Sequence, residues 1–78
     1  MRATRQPCNY AVGLDIGGTN IDVGVVDVDG RLVSRIQIPV DRGSSVQNEL
    51  RRVYDAIDEA VIRAGIGWSL IGCIGVAA

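Results

Sequence analysis

The sequence predicts an α/β fold of three strands, one helix and a fourth strand. Three observations carry this. Three segments between residues 10 and 40 alternate apolar and polar positions and are rich in β-branched residues. A stretch from residue 44 to 64 repeats its apolar residues every three or four positions, the period of an amphipathic helix. Leu70 to Val76 is then almost continuously apolar, as in a strand covered on both faces of a parallel sheet.

The first strand spans Tyr10 to Ile16, with Val12, Leu14 and Ile16 on one face and Ala11, Gly13 and Asp15 on the other. Gly17-Gly18 predicts a tight turn, because glycine reaches backbone angles that other residues avoid. Thr19 to Asp27 is the second strand, with Ile21, Val23 and Val25 opposed to Val26. Asp29-Gly30 is a hairpin pair. Arg31 to Val40 is the third strand, in which Leu32, Ile36, Ile38 and Val40 alternate with Arg35 and Gln37; Pro39 suits an edge or a strand end.

Ser44 and Gln47 match the S-x-x-Q capping box, so a helix is predicted to begin at Ser44 or Ser45 and to run to about Ala64. Its stripe is Val46, Leu50, Val53, Ile57, Val61 and Ala64, and Leu50, Val53, Ile57 and Val61 are expected against the sheet. Gly65 follows as a left-handed cap, and Arg63 suits the negative end of the helix dipole. A meander followed by a right-handed helical crossover gives the sheet order third, second, first, fourth, with the first and fourth strands parallel.

At 78 residues the chain holds at most one small domain, expected over 10–78 behind a flexible leader at 1–9. One helix covers one face of a four-stranded sheet, so the unit reads as an incomplete domain, the opening part of a larger α/β protein. The net charge is −1, and all eight basic residues are arginine; there is no lysine or histidine. That excludes the P-loop lysine, Schiff-base chemistry, histidine acid–base catalysis and histidine metal ligation. The charge balance also argues against a nucleic-acid partner. Cys8 and Cys73 are too few for a disulfide scaffold or a cysteine-rich zinc site. No apolar run reaches the ~18–20 residues of a membrane span, and a cytoplasmic location without a membrane partner is expected.

The segment that carries chemistry is Asp15-Ile16-Gly17-Gly18-Thr19-Asn20. It sets a carboxylate before a glycine turn and a hydroxyl after it. Glycines let backbone N–H groups approach an anion closely, and Thr19 can donate to a phosphate oxygen. Asp15 could reach a Mg²⁺ ion bridging the same phosphates, directly or through water. The alternative is an ordinary hairpin in which Asp15 caps turn amides.

The same six residues resemble the first phosphate loop of the sugar-kinase, actin and Hsp70 ATPase superfamily. The closer resemblance is to the ROK family of repressors and kinases, which includes bacterial glucokinases. It extends from Tyr10 through the hairpin Val26–Val33 and the long helix to the strand Ile71–Ala78. It implies a ribonuclease H-like (actin-like) N-terminal half-domain and an ATP-dependent kinase acting on a glucose-type hexose. By analogy Asp15 would organise Mg²⁺, and Gly17, Gly18, Thr19 and Asn20 would surround the ATP phosphates. The implied partners are ATP and a hexose, with self-association left open. The family's catalytic base, zinc ligands and adenosine contacts come from later motifs, so no catalytic residue is assigned in this chain.

Asp22 departs from the family pattern, where a small or apolar residue is common. Gly-Gly-Thr-x-x-Asp also resembles the N-terminal region of hydantoinase and oxoprolinase enzymes, which keeps an ATP-dependent hydrolase as an alternative; the other is a sugar-responsive transcriptional regulator of the ROK type. The simpler explanation of Asp22 is a polar residue on the exposed side of a strand. Asp27 and Asp29 are explained by the hairpin, Tyr54 by packing on the helix flank, and Trp68 by plugging the sheet edge.

Overall fold

A computed structural model describes residues 9–77. Cys8 and nearly all of the expected leader lie outside that range. The elements are β1 (Tyr10–Ile16), β2 (Asn20–Asp27), β3 (Leu32–Pro39), α1 (Val46–Ala64), a short 3-10 turn (Trp68–Leu70) and β4 (Ile71–Ala77). The sheet order is β3-β2-β1-β4, with β1–β2 and β2–β3 antiparallel and β1–β4 parallel. This is the expected α/β arrangement, and it is consistent with the N-terminal half of an actin-like kinase fold. Among the described residues, no helix is long and apolar enough to cross a membrane.

The core forms between one face of the sheet and α1. Val12 and Leu14 of β1 and Ile21, Val23 and Val25 of β2 are buried against Ala56, Ile57, Ala60 and Val61 of the helix. Full burial of a branched side chain stabilises by about 1.5–3 kcal/mol, so these few residues supply much of the driving force.

The helix starts at one of the two expected serines, while its capping box and part of its buried face differ from expectation. The N-cap is Ser45 and not Ser44: the Ser45 hydroxyl accepts from the Asn48 backbone N–H at 3.2 Å. Gln47 is therefore not the closing residue of a capping box; Glu49 instead accepts from the Asp41 N–H at 3.2 Å and pairs with Arg52 at 2.7 Å. Leu50 is 48% exposed and Val46 is 76% exposed, whereas Ala56 and Ala60 are buried. The stripe read from large residues missed the alanines. They let the helix lie close enough to β3 for the Ser34 hydroxyl to donate to the Ala60 carbonyl at 2.6 Å. The C-terminus is as expected: Gly65 has φ 74° and donates to the Ile62 carbonyl.

β3 also departs from simple alternation. Val25 pairs with Ser34 but Val26 pairs with Leu32, so Val33 is an extra residue in a bulge. The bulge shifts the phase by one. Ser34, Ile36 and Ile38 face the helix, while Leu32 leans over Gly24 on the other face beside Arg35. The β2–β3 turn is held by Asp27, whose carboxylate accepts from the Asp29 and Arg31 N–H groups, with Gly30 at φ 81°.

β4 has the apolar pattern of a strand buried on both faces, and a single helix was expected to leave it without full cover. Only Ile71 is partly buried; the rest of the strand is exposed, Cys73 included. The physical reason is the position of α1, which packs mainly on β2 and β3; Ile71 still joins the core, and Ile74 borders an open cavity beside Tyr54 and Ile57. Trp68 is not a plug either. It is 46% exposed, and its indole N–H donates to Asp58 at 3.0 Å. Tyr54 is likewise exposed.

Candidate functional site

The turn between β1 and β2 consists of Gly17, Gly18 and Thr19. It is closed by the Gly17 N–H donating to the Asn20 carbonyl at 2.9 Å. Neither glycine has a positive φ, so the expectation that forbidden backbone angles demand glycine here is not met. The reason is different at each position. A Cβ on Gly17 would sit 3.2 Å from the Asn20 carbonyl oxygen, tighter than ordinary contact, so a side chain there would press on the backbone that closes the turn. A Cβ on Gly18 would meet only the Arg42 guanidinium, at 3.9 Å. Nothing within the described chain forbids a side chain at 18, and the glycine leaves the outer surface of the turn open.

The turn is tied to the loop after β3. The Val40 N–H donates to the Thr19 carbonyl at 2.8 Å, and the Arg42 side chain donates to the Gly18 carbonyl at 2.8 Å. The Asn20 side-chain amide donates to the Thr19 hydroxyl oxygen at 3.3 Å. That bond uses a lone pair and leaves the Thr19 hydroxyl proton to be donated outward.

Asp15 stands on the face of the sheet opposite α1. It is exposed and has no hydrogen-bond or ion-pair partner among the described residues, so it does not cap the turn amides. Its cross-strand neighbour is Asp22. Asp22 in turn pairs with Arg35 at 2.7 Å and accepts from the Gln37 amide at 3.1 Å. Of two adjacent carboxylates, one is thus neutralised by β3 and the other is left available. Both border a shallow cavity of about 520 Å³ floored by Gly13, Gly24 and Gly75.

All five sequence-predicted residues lie along one continuous segment and are exposed: Gly17, Gly18, Thr19 and Asn20 make the turn and its exit, and Asp15 lies just before it. Sequence reasoning missed Arg42, which reaches the turn from 24 positions away. The absence of lysine and histidine was the available signal, since the only cationic side chains in this sequence are arginines. Among the described residues no group of three or more histidine, cysteine or carboxylate side chains could by itself hold a metal ion. A metal at Asp15 would therefore need ligands from elsewhere, and phosphate oxygens and water are the usual ones for Mg²⁺.

No family model matches the chain. It is similar to proteins named glucokinase from Streptomyces coelicolor and Streptomyces lividans, at 34% identity over 67 residues in each case. The matched region is 86% of this chain and 19% of each relative. The chain thus spans about a fifth of the length of the curated relatives it matches.

Proposed function

We propose that this chain forms the phosphate-binding opening part of an ATP-dependent kinase acting on a glucose-type hexose, of the ROK type. The observation that carries the reading is the similarity to the two glucokinases across 86% of the chain, a span that includes most of the described fold. The local chemistry supports it. Gly18 leaves a gap over the turn that the chain itself does not need, Thr19 has a hydroxyl proton to give, and Asp15 is a carboxylate without a partner among the described residues.

In this reading the backbone at Gly17 and Gly18 admits a phosphate group, the Thr19 hydroxyl donates to one of its oxygens, and Asn20 fixes the orientation of that hydroxyl. Asp15 orients a Mg²⁺ ion or one of its waters. When bound, the metal supplies the charge neutralisation that phosphoryl transfer requires. A bare carboxylate repels phosphate, so Asp15 acts only with the cation present. Positioning of this kind accelerates transfer without any covalent step by the protein.

The hydrolase alternative rested on Asp22. Its pairing with Arg35 and Gln37 accounts for that residue within the sheet, and no separate observation favours the alternative.

The test is Asp15→Asn in the full-length protein, assayed for ATP-dependent glucose phosphorylation. The fold, followed by circular dichroism, should be unchanged. Turnover should fall by roughly 100-fold or more, the scale at which removing one electrostatic stabiliser acts. Unaltered turnover would remove Asp15 from the machinery, and an absence of ATP-dependent phosphorylation in the unaltered protein would overturn the reading.

A further inference from the structure

Resting on the reading above, we propose that Arg42 is a phosphate-binding residue, holding the charged end of the nucleotide over Gly18. Four observations lead to it. First, Arg42 donates to the Gly18 carbonyl at 2.8 Å, so its guanidinium lies against the turn. Second, the space left by the missing Cβ at Gly18 is bounded by that same guanidinium at 3.9 Å. An oxygen atom entering that space comes within contact range of a cation.

Third, Arg42 has no carboxylate partner among the described residues. Arg35, Arg52 and Arg63 are each ion-paired, to Asp22, Glu49 and Glu59, and of the arginines without such a pair among the described residues only Arg42 has its guanidinium bonded to the turn. One N–H of Arg42 is used on Gly18, and a guanidinium has five donors in a rigid fork that matches phosphate. Fourth, the loop that carries Arg42 is fixed. Asp41 gives its backbone N–H to Glu49 and accepts from the Gly43 and Ser44 N–H groups. Arg52 holds Glu49 and also donates to the Pro39 carbonyl at 2.7 Å. Val40 is bonded to Thr19 on the other side. The stem of Arg42 is therefore placed before any ligand arrives, which reduces the ordering cost of binding.

In a chain without lysine, this arginine offsets the negative charge that Asp15 brings to the same turn. Asp15 would hold a cation and Arg42 would supply a guanidinium, so that both would share the neutralisation of phosphate charge.

The test uses the full-length protein with Arg42→Gln and Arg42→Lys. Calorimetry with inorganic tripolyphosphate, which has no base or sugar, reads the anion site directly. Steady-state kinetics read KM for MgATP and KM for glucose separately, and a thermal melt reads the fold. Arg42→Gln should weaken tripolyphosphate binding and raise KM for MgATP by about 10- to 100-fold, the scale of a charge-assisted hydrogen bond to an anion. KM for glucose and the melting temperature should not move. Arg42→Lys should fall between, because it keeps the charge and loses the fork. Parallel losses in both KM values and in melting temperature would mean a structural tether only and would overturn the proposal, as would tripolyphosphate binding indifferent to either variant. Should the protein phosphorylate glucose while Arg42→Gln leaves KM for MgATP unchanged, this inference falls and the kinase reading stands. Should tripolyphosphate binding depend on Arg42 in a protein that phosphorylates no hexose, the reverse holds.

Discussion

The two faces of the sheet are built from different materials. The face toward α1 carries Val12, Leu14, Ile21, Val23 and Val25, all buried. The opposite face carries Ala11, Gly13 and Asp15 on β1, Asp22 and Gly24 on β2, and Cys73, Gly75 and Ala77 on β4. Gly13 pairs with Gly24 on one side and with Gly75 on the other, so a row without side chains crosses three strands. The first face holds the unit together. The second contributes little to burial and is bordered by the carboxylate that the proposed chemistry uses. The contrast also shows that burial follows the helix and not the hydrophobicity of a strand. Ile74 and Val76 are register partners of Val12 and Leu14, yet they are 52% and 63% exposed, because α1 packs mainly on β2 and β3.

The sharpest way to break this contrast is to compare equal truncations of the helix. Ile57→Ala should cost about 2–5 kcal/mol in urea denaturation, since the side chain is buried among β2 and helix residues. Leu50→Ala should cost under about 1 kcal/mol, because the side chain is half exposed. Equal costs would mean that the helix sits differently on the sheet.

A second comparison tests the glycine row. A Cβ at Gly13 or Gly75 meets nothing within 4 Å. Gly75→Ala should therefore leave stability within about 0.5 kcal/mol or raise it slightly, by limiting the freedom of the unfolded chain. At Gly24 the added Cβ would stand 3.0 Å from the tip of Leu32, a flexible end that can turn aside, so Gly24→Ala should cost somewhat more than Gly75→Ala. A loss of several kcal/mol from Gly75→Ala in thermal unfolding would show that something already occupies this face.

A comparably small effect is expected of the Asp22–Arg35 pair. Its side chains are 30% and 57% exposed, so a double-mutant cycle should return about 0.2–1 kcal/mol, declining with added salt. A coupling several times larger would indicate a desolvated pair and a more enclosed face than the geometry describes.

Strand order and most element limits were legible because they depend on local patterns: alternation in β1 and β2, the Asp29-Gly30 turn, and the i, i+3, i+4 spacing ahead of Gly65. What was not legible depends on contacts between elements. Leu50 and Ala60 differ in burial because alanines, and not leucines, allow a helix backbone to approach Ser34. Leu32 changed faces because one bulged residue resets the alternation, and no composition rule marks Val33 as that residue. At the turn, Gly17 and Gly18 were found by motif, but only the fold shows that a Cβ would crowd the Asn20 carbonyl at Gly17 and meet only ordinary contact at Gly18. Arg42 was invisible because its partner is 24 positions away and its own surroundings, Asp41 and Gly43, read as a plain loop.

β4 lies at the edge of the sheet and consists of Ile71-Gly72-Cys73-Ile74-Gly75-Val76-Ala77, without a charge or a proline. Natural edge strands are usually guarded by lysine, proline or a strong twist, because an open edge accepts any extended segment that drifts against it. Among the described residues, Ile71–Ala77 supply neither lysine nor proline. A segment of this composition, uncharged and rich in β-branched residues, has the character of an inner strand, one that is paired along its length and not left facing water.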